Sequence, residues 1–274
     1  MMMKSIYLFI VVCLFTGLVS CYKSDRDNDT TTFAVNDHTL AQTLFGSIIK
    51  DVHEIALKDT FTNPASVDMT WDNCIDSVVL STNGGSYPAT LNIYFGGTSS
   101  CSDGIIKSGL LQVTASGKYL DSLSVYTIVP NNFYCDEIHL TGDITIKNTG
   151  KNENGNTVYN LLVDDGLLSN DTMHVEWNVN QKLEWTSGNG TSQSNDDVFL
   201  VSGDADGRSN KGNVFSVEVM TPLNFDLSCK WLVAGELKLL PNNLAIRTID
   251  YGNGGCDDIL MVTIYGKSKE IRMY

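Results

Sequence analysis

The stretch Ile138–Val163, IHLTGDITIKNTGKNENGNTVYNLLV, decides the fold class. Its two ends, Ile138–Ile146 and Thr157–Val163, alternate β-branched or aromatic residues with polar ones, which is typical of half-buried β-strands. Between them, the loop KNENGN at 151–156 contains the asparagine and glycine residues that tight turns require. A connection this short joins antiparallel neighbours, because parallel strands need a longer crossover. The stretch therefore predicts a β-hairpin.

The same arrangement recurs later in the chain. The loop RSNKGN at 208–213 is similar to KNENGN, and a Gly-Asp pair precedes each loop, at 142–143 and at 203–204. The pattern predicts ten strands: Leu110–Ala115, Leu123–Val129, Ile138–Ile146, Thr157–Val163, Met173–Val179, Val198–Ser202, Val214–Met220, Trp231–Leu239, Leu244–Ile249 and Ile259–Ile264. We expect an all-β protein, an extended antiparallel meander that forms either an elongated twisted sheet or a sandwich. Its two related halves would cover residues 59–150 and 151–274.

One segment departs from the β pattern. Within 38–58, apolar residues recur at helical spacing, and they predict a helix over Leu40–Leu57. Asp37 and Thr39 are residue types that cap the start of a helix. We expect this single N-terminal helix to pack on one end of the sheet. His38 and His53 would then lie in solvated or capping positions.

The cysteines follow a repeated spacing. Cys74 and Cys101 are 27 positions apart, and Cys229 and Cys256 are also 27 positions apart. A glycine-rich run precedes the later member of each pair, and an aspartate follows it, which favours internal duplication. We expect one disulfide within each pair. Zinc is the alternative, but the spacings are wide and the chain has no CxxC pair. Cys135 is then expected to be a buried free thiol.

The N-terminal leader resembles that of a bacterial lipoprotein. Its apolar run, Ile6–Val19, is shorter than the roughly 20 residues that a helix needs to span a bilayer. The sequence Leu-Val-Ser-Cys that ends at Cys21 looks like a lipobox, in which residues 1–20 are removed as a signal peptide and the cysteine is acylated. An ordinary signal peptide is the alternative. The lipobox implies a membrane partner through a lipid anchor, and polar residues 21–37 are expected to form a flexible tether.

Further motifs are similar to those of a group of uncharacterised Bacteroidota cell-envelope lipoproteins. They are DYGNGGCDD at 250–258, CKWLVAGE at 229–236 and VTIYGK at 262–267. The resemblance runs from the leader to the C-terminus and implies an outer-membrane lipoprotein, exposed at the cell surface. Ile105 and Ile106 stand where this family is expected to carry basic residues. The family has no established activity, so the resemblance implies location and fold only.

Composition and motifs restrict the chemistry. A formal net charge of -14 repels phosphate, so no nucleic-acid partner is expected. The best candidate site is the acidic group Asp250, Asp257 and Asp258, with Asp103 in the corresponding loop. Carboxylate oxygens at a glycine-rich turn suit Ca²⁺, the one cofactor that we consider, and paired carboxylates also suit acid–base chemistry on a glycoside. A purely structural turn is the third interpretation.

Aromatic residues offer a second candidate site. Trp177 and Trp185 flank a polar turn and are candidates for stacking on a sugar ring or a peptide, with packing in the core as the alternative. Together, these features predict a lipid-anchored, non-catalytic binding or structural module with a glycan or protein ligand. A carbohydrate-active hydrolase is one alternative, and it needs two carboxylates about 5–9.5 Å apart. An adhesion or assembly subunit is another, and it needs a free sheet edge.

Overall fold

The computed structural model describes residues 30–58, 60–62, 72, 74–81, 86–191 and 193–274. In these ranges the chain forms one α-helix, a 3₁₀ turn at Ser194–Asp196 and thirteen β-strands. The helix is α1 (Phe33–Leu57), and the strands are β1 (Ile75–Leu80), β2 (Ala89–Ser100), β3 (Ile106–Ala115), β4 (Val125–Cys135), β5 (Ile138–Lys151), β6 (Thr157–Ser169), β7 (His174–Ser187), β8 (Val198–Arg208), β9 (Val214–Asp226), β10 (Ala234–Pro241), β11 (Arg247–Asn253), β12 (Ile259–Ile264) and β13 (Lys267–Arg272). The predicted all-β class with one N-terminal helix is confirmed. The lipobox, Cys21 and most of the predicted tether lie outside the described residues.

The thirteen strands form one antiparallel sheet, in which each strand pairs with the next one along the chain. This is the predicted meander, and it is a single sheet, not a two-sheet sandwich. β1 and β13 are the edges of the sheet in the described part of the chain. The sheet has no break at the predicted boundary between 150 and 151, because β5 runs through it and pairs with β6.

Side-chain alternation along β7 shows how the sheet builds its core. Val175, Trp177, Val179 and Leu183 are buried on the inner face. Of the residues that alternate with them, Glu176 is exposed and Asn178 is half-buried. The inner face packs against α1, whose Phe45 ring stacks on Trp177 at a centroid distance of 5.2 Å. Burial of these apolar surfaces joins the helix and the sheet into one core.

α1 lies against the inner face of the sheet, not on one end as we expected, and it contacts side chains of β3, β7 and β9. The helix begins at Phe33, so the predicted start at Leu40 and the predicted caps Asp37 and Thr39 are wrong, and residues 33–37 of the predicted tether are helical. Val35 is buried in the core, and this tertiary packing extends the helix toward the N-terminus. Asp37 accepts a hydrogen bond from the backbone N–H of Asn210 instead (2.8 Å).

The two loops that the sequence paired adopt the same hydrogen-bond pattern. In the β5–β6 loop, the N–H of Asn152 donates to the carbonyl of Asn156 (2.9 Å), and in the β8–β9 loop the N–H of Ser209 donates to the carbonyl of Asn213 (2.9 Å). A glycine closes each loop in the same way: the N–H of Gly155 donates to the carbonyl of Asn152, and the N–H of Gly212 donates to the carbonyl of Ser209. Both segments form the hairpins that the sequence predicts.

The Gly-Asp pairs mark β-bulges. Gly142 and Gly203 have φ angles of +128° and +119°, and the ladder register shifts beside each of them. A β-carbon at Gly203 would lie 2.4 Å from the carbonyl oxygen of Asn180, so the close approach of two strands requires glycine there. β8 continues past this bulge to Arg208, beyond its predicted end at Ser202.

Three strands, β1, β2 and β13, are not among those that the sequence predicts. The β13 sequence, KSKEIR, has no apolar alternation, and its residues are mostly exposed. The strand forms because β12 offers a complete ladder of partners. Lysine residues suit such an edge strand, because they discourage pairing with a second chain.

Candidate functional site

A polar pocket of about 640 Å³ lies beside the C-terminal half of α1. The helix contributes Lys50, Asp51 and Glu54, a spacing that places these side chains close together on the helix surface, and Lys58 follows its last residue. The other lining residues are Asp72, Ser102, Asp103, Gln193, Ser194, Asn195, Leu227, Ser228 and Cys229. Most of them carry hydrogen-bonding side chains, so the pocket is suited to a polar ligand.

Both disulfides hold walls of this pocket. Cys74–Cys101 and Cys229–Cys256 are formed, as the sequence predicts. Ser102 follows the first disulfide directly and lines the pocket, and Cys229 itself lines it as well. The two cross-links therefore restrict the segments that shape the cavity.

A buried ion cluster underlies the pocket. Lys107 Nζ lies 2.7 Å from Asp51 Oδ2 and 3.1 Å from Asp103 Oδ2, and the lysine side chain is 0% exposed. Asp103 also accepts hydrogen bonds from the Ser47 hydroxyl (2.6 Å) and from the backbone N–H of Ile105 (3.0 Å). An isolated ammonium in the core would be strongly destabilising, so the two carboxylates are what allows Lys107 to be buried.

Burial and pairing shift the pKa values of this cluster in opposite directions. Burial raises the pKa of Asp51 to about 7, although Lys107 counteracts it. Burial alone would raise the pKa of Asp103 too, but Lys107 and the hydrogen bonds to the carboxylate lower it overall. Burial alone would lower the pKa of Lys107, yet the two carboxylates raise it. Near neutral pH, Asp51 therefore exists in both the protonated and the ionised form.

Lys50 is a second lysine in the pocket wall. Its Nζ donates a hydrogen bond to the carbonyl oxygen of Cys229 and lies 5.2 Å from the centre of the Phe225 ring. Burial lowers the pKa of Lys50 to about 8, against the attraction of Asp103. A fraction of Lys50 is therefore a neutral amine at slightly alkaline pH.

The predicted acidic group lies elsewhere, along β11 and the turn after it. Asp250 and Asp257 each accept a hydrogen bond from the backbone N–H two residues further on (2.8 and 2.9 Å), and Asp258 pairs with Arg272 (2.6 Å). Asp250 and Asp257 line a cavity of about 220 Å³, whereas Asp103 belongs to the buried ion cluster. Each carboxylate therefore has a partner within its own turn or on a neighbouring strand, as a structural turn requires.

Within the described part of the chain, one group of potential metal-ligand atoms lies within 4.8 Å of one another. It consists of Asp72, Cys74 and Cys101. The two sulfur atoms are bonded to each other, and zinc and similar metals bind thiolates instead. In its disulfide form, this group offers a single carboxylate as a ligand.

Trp177 and Trp185 do not form an exposed binding face. They are 1% and 2% exposed. The indole N–H of Trp177 donates to Nδ1 of His38 (3.1 Å), and that of Trp185 donates to Oδ1 of Asp197 (2.9 Å). The prediction that they bind a ligand is wrong, because both occupy inward positions of β7, where alternation turns them toward α1.

The solvated or capping positions expected for His38 and His53 are also wrong, because both side chains are buried. His53 Nε2 lies 2.8 Å from Asp197 Oδ2, and its Nδ1 lies 3.0 Å from the Tyr119 hydroxyl. The edge of the His53 ring also meets the ring of Trp185 at a centroid distance of 5.1 Å. This enclosed network links the helix to β7 and to the residue that precedes β8, and we assign it a structural role.

Cys135 is a buried free thiol, as the sequence predicts. It pairs with Lys107 across β3 and β4. Burial raises the pKa of the Cys135 thiol, against the attraction of Lys107. Because the reactive form of cysteine is the thiolate, this thiol is expected to be inert.

The residues of the ion cluster carry signals in the sequence that do not depend on acidic turns. Asp51 lies at helical spacing from Ile48 and Ile55, so it belongs to the apolar stripe of α1. Lys107 lies at even spacing before Leu111 and Val113, so alternation assigns it to the inner face of β3. A charge at a position that the pattern assigns to the core indicates a buried ion pair.

The chain matches no protein-family model, no curated protein and no solved structure. Within the described residues, no helix combines the length and the apolar character that crossing a membrane requires. The resemblance to Bacteroidota lipoproteins therefore stays a prediction.

Proposed function

We propose that the protein is a lipid-anchored, non-catalytic binding module of the outer membrane, exposed at the cell surface. Its ligand site would be the polar pocket beside α1. The observation that carries this proposal is a cavity of about 640 Å³ whose walls are fixed by both disulfides. A preformed cavity reduces the entropy that is lost on binding.

The lining favours a glycan as the ligand. Gln193, Asn195 and Ser194 supply amide and hydroxyl groups from one turn, and Ser102 and Ser228 add hydroxyl groups from the disulfide-bonded segments. Such groups both donate and accept hydrogen bonds, as sugar hydroxyls do. A protein ligand is the alternative within the same proposal.

A glycan array with the full-length protein, purified in detergent, tests this proposal. We expect at least one glycan to bind, and calorimetry to show that Asn195→Ala and Gln193→Ala each weaken that binding by at least tenfold. Lys182→Ala is the matched control, because Lys182 lines a separate cavity of about 500 Å³ on the sheet. An array without binding would favour a purely structural role, and equal effects of all three variants would place the ligand elsewhere.

A carbohydrate-active hydrolase is supported less well. Asp51 and Asp103 are two carboxylates at one pocket, and their pKa values are shifted in opposite directions, as those of an acid and a nucleophile are. However, Lys107 Nζ binds both carboxylates and occupies the space between them. Release of reducing sugar from a bound glycan, abolished by Asp103→Asn, would favour the hydrolase over the binding module.

An adhesion subunit that accepts a donor strand is also supported less well. The edge strand β13 carries Lys267 and Lys269, and charged edge strands oppose pairing with another chain. The two lysines alternate with Ser268 and Glu270, so both faces of the strand are polar. A synthetic strand peptide is therefore not expected to bind this edge.

The lipid anchor is tested by Cys21→Ala. Without the acylated cysteine, we expect the protein to leave the membrane fraction, because the anchor supplies the apolar contact with the bilayer. Protease treatment of intact cells tests the surface location separately. If the wild-type protein stays in the membrane fraction but resists the protease, the surface location is contradicted and the lipid anchor is not.

A further inference from the structure

Lys107 contacts Asp51, and the amine of the one and the carboxyl group of the other can react to form an amide. Its Nζ is 2.7 Å from Oδ2 of Asp51, and the second carboxylate, Asp103, is 3.1 Å from the same nitrogen. The side chain of Lys107 is 0% exposed, that of Asp51 is 10% exposed and that of Asp103 is 8% exposed. An amine, a carboxyl group and a neighbouring carboxylate thus meet in a site from which most water is excluded.

The surroundings of Lys107 are apolar. Ile105, two positions before Lys107, is fully buried, and so are Phe133 and Cys135 on the neighbouring strand β4. The centre of the Phe95 ring lies 6.0 Å from Nζ of Lys107. Charges are costly in such an environment, even when they are paired. A neutral amide in place of the ammonium and one carboxylate would remove two of the three buried charges.

We propose that Lys107 and Asp51 form an intramolecular isopeptide bond, with Asp103 as the group that transfers the proton. The reaction begins from the neutral amine and the protonated Asp51 carboxyl. The Nζ lone pair attacks Cγ of Asp51 and forms the C–N bond, while an N–H proton passes to Asp103. Asp103 returns this proton to the departing hydroxyl, the C–O bond breaks, and one water molecule leaves. The reaction is a condensation and needs no oxidant or cofactor.

The protonation states make this a slow reaction that occurs once in each chain. Burial raises the pKa of Asp51 to about 7, so the protonated carboxyl is present near neutral pH. Asp51 and Asp103 raise the pKa of Lys107, so the neutral amine is the minor form. A single maturation step tolerates a minor reactive form, whereas rapid turnover does not. Asp51 and Asp103 also line the pocket, which gives the released water a way out.

The bond would join α1 to β3 across 56 positions of the chain. Cys101 lies just before Asp103, so the disulfide and the amide would fix the same pocket wall. The inference does not depend on the identity of a ligand. It does bear on the hydrolase alternative, because an amidated Asp51 cannot serve as an acid.

Peptide mass spectrometry of the full-length protein, reduced and digested with trypsin, tests the proposal. Trypsin cleaves after Lys50 and Lys58, which releases peptide 51–58. If the bond is present, this peptide is attached to peptide 59–118, cleavage after Lys107 is lost, and the mass is lower than the sum of the two peptides by one water molecule. Free peptide 51–58 together with complete cleavage after Lys107 would overturn the proposal, whatever the behaviour of any variant.

Two variants and an internal control assign the roles. Asp103→Ala is expected to abolish or greatly slow formation of the link, and a link that forms normally in this variant would refute the role of Asp103. Lys107→Met must abolish the link entirely. Lys58 and Glu54 provide the control in the same digest, because they also form an ion pair (2.6 Å) but are 21% and 31% exposed. We expect no link between them, and a link there would show that proximity alone is sufficient.

Discussion

The two disulfide-bonded segments share a spacing and a sequence pattern but differ in their surroundings. Asp103 and Asp258 each lie two residues after a disulfide-bonded cysteine. Asp103 is buried against α1 and Lys107, whereas Asp258 pairs with Arg272 at the surface. The difference is Asp51 of the helix, a second carboxylate that shares Lys107 with Asp103. A repeated covalent frame therefore does not imply a repeated site.

The largest predicted effect is that of Lys107→Met. Relative to the chain that holds the ion cluster without the proposed amide, the variant leaves Asp51 and Asp103 without their shared cation, and we expect the free energy of unfolding to fall by about 3–5 kcal/mol, as for other broken buried ion pairs. Urea denaturation measures this difference. Arg272→Met, the corresponding change at the second segment, is expected to have no measurable effect, because Arg272 is at the surface. Equal losses would remove the contrast between the two segments.

The disulfides themselves should contribute equally. Both close a loop of 27 positions, so the chain-entropy model assigns each about 3.5 kcal/mol of stability. Thermal unfolding should compare two double variants. One combines Cys74→Ala with Cys101→Ala, and the other combines Cys229→Ala with Cys256→Ala. A difference of more than about 2 kcal/mol between them would mean that packing around one cross-link outweighs loop closure.

Ser47→Ala sharpens the contrast by removing one hydrogen bond from the buried carboxylate of Asp103. We expect a loss of about 1–2 kcal/mol, because hydrogen bonds to charged groups exceed the average. Asp250→Ala is the counterpart in the exposed turn, and its effect should stay within about 0.5 kcal/mol. Urea denaturation with and without calcium measures both. A larger loss for Asp250→Ala, present only with calcium, would instead support the metal site that the sequence suggests.

The last prediction is a pH effect, and it concerns Lys50, which contacts the second segment through Cys229. The charged groups around Lys50 are Asp51, Asp103, Lys107 and Asp226, and burial holds its pKa at about 8 in the folded protein, against 10.5 in the unfolded chain. The unfolded chain therefore binds more protons between these pH values, and folding stability rises with pH in that window. Comparison of melting temperatures from pH 7 to 10 should show a steeper rise for wild type than for Lys50→Met. Parallel curves would refute the assignment.

Much of the fold follows from local sequence patterns. The hairpins at 151–156 and 208–213 and both disulfides are correctly predicted, because turn residues and cysteine spacing act over short distances. β13 is not predicted, since its own residues have no apolar pattern and it depends on β12. The start of α1 at Phe33 depends on tertiary packing, and capping residues alone do not predict it.

The site is harder to predict than the fold. Asp51 and Lys107 can each be recognised as a charge at a core position, but they are 56 positions apart and meet only in the folded chain. From the sequence, Trp177 and Trp185 are candidate ligand-binding residues because aromatic rings can stack on a sugar or a peptide. Strand alternation places both of them in the core instead. Alternation, a physical constraint on every strand, is the better guide of the two.

Hydrogen–deuterium exchange, measured with and without the tightest-binding glycan from the array, tests the central claim that the pocket beside α1 is the ligand site. We predict slower exchange in the segments 101–105, 193–197 and 227–231, which contribute to the pocket walls. Strands β6 and β7, around Lys182, should exchange at an unchanged rate. Protection confined to those strands, or no change anywhere, would contradict the account.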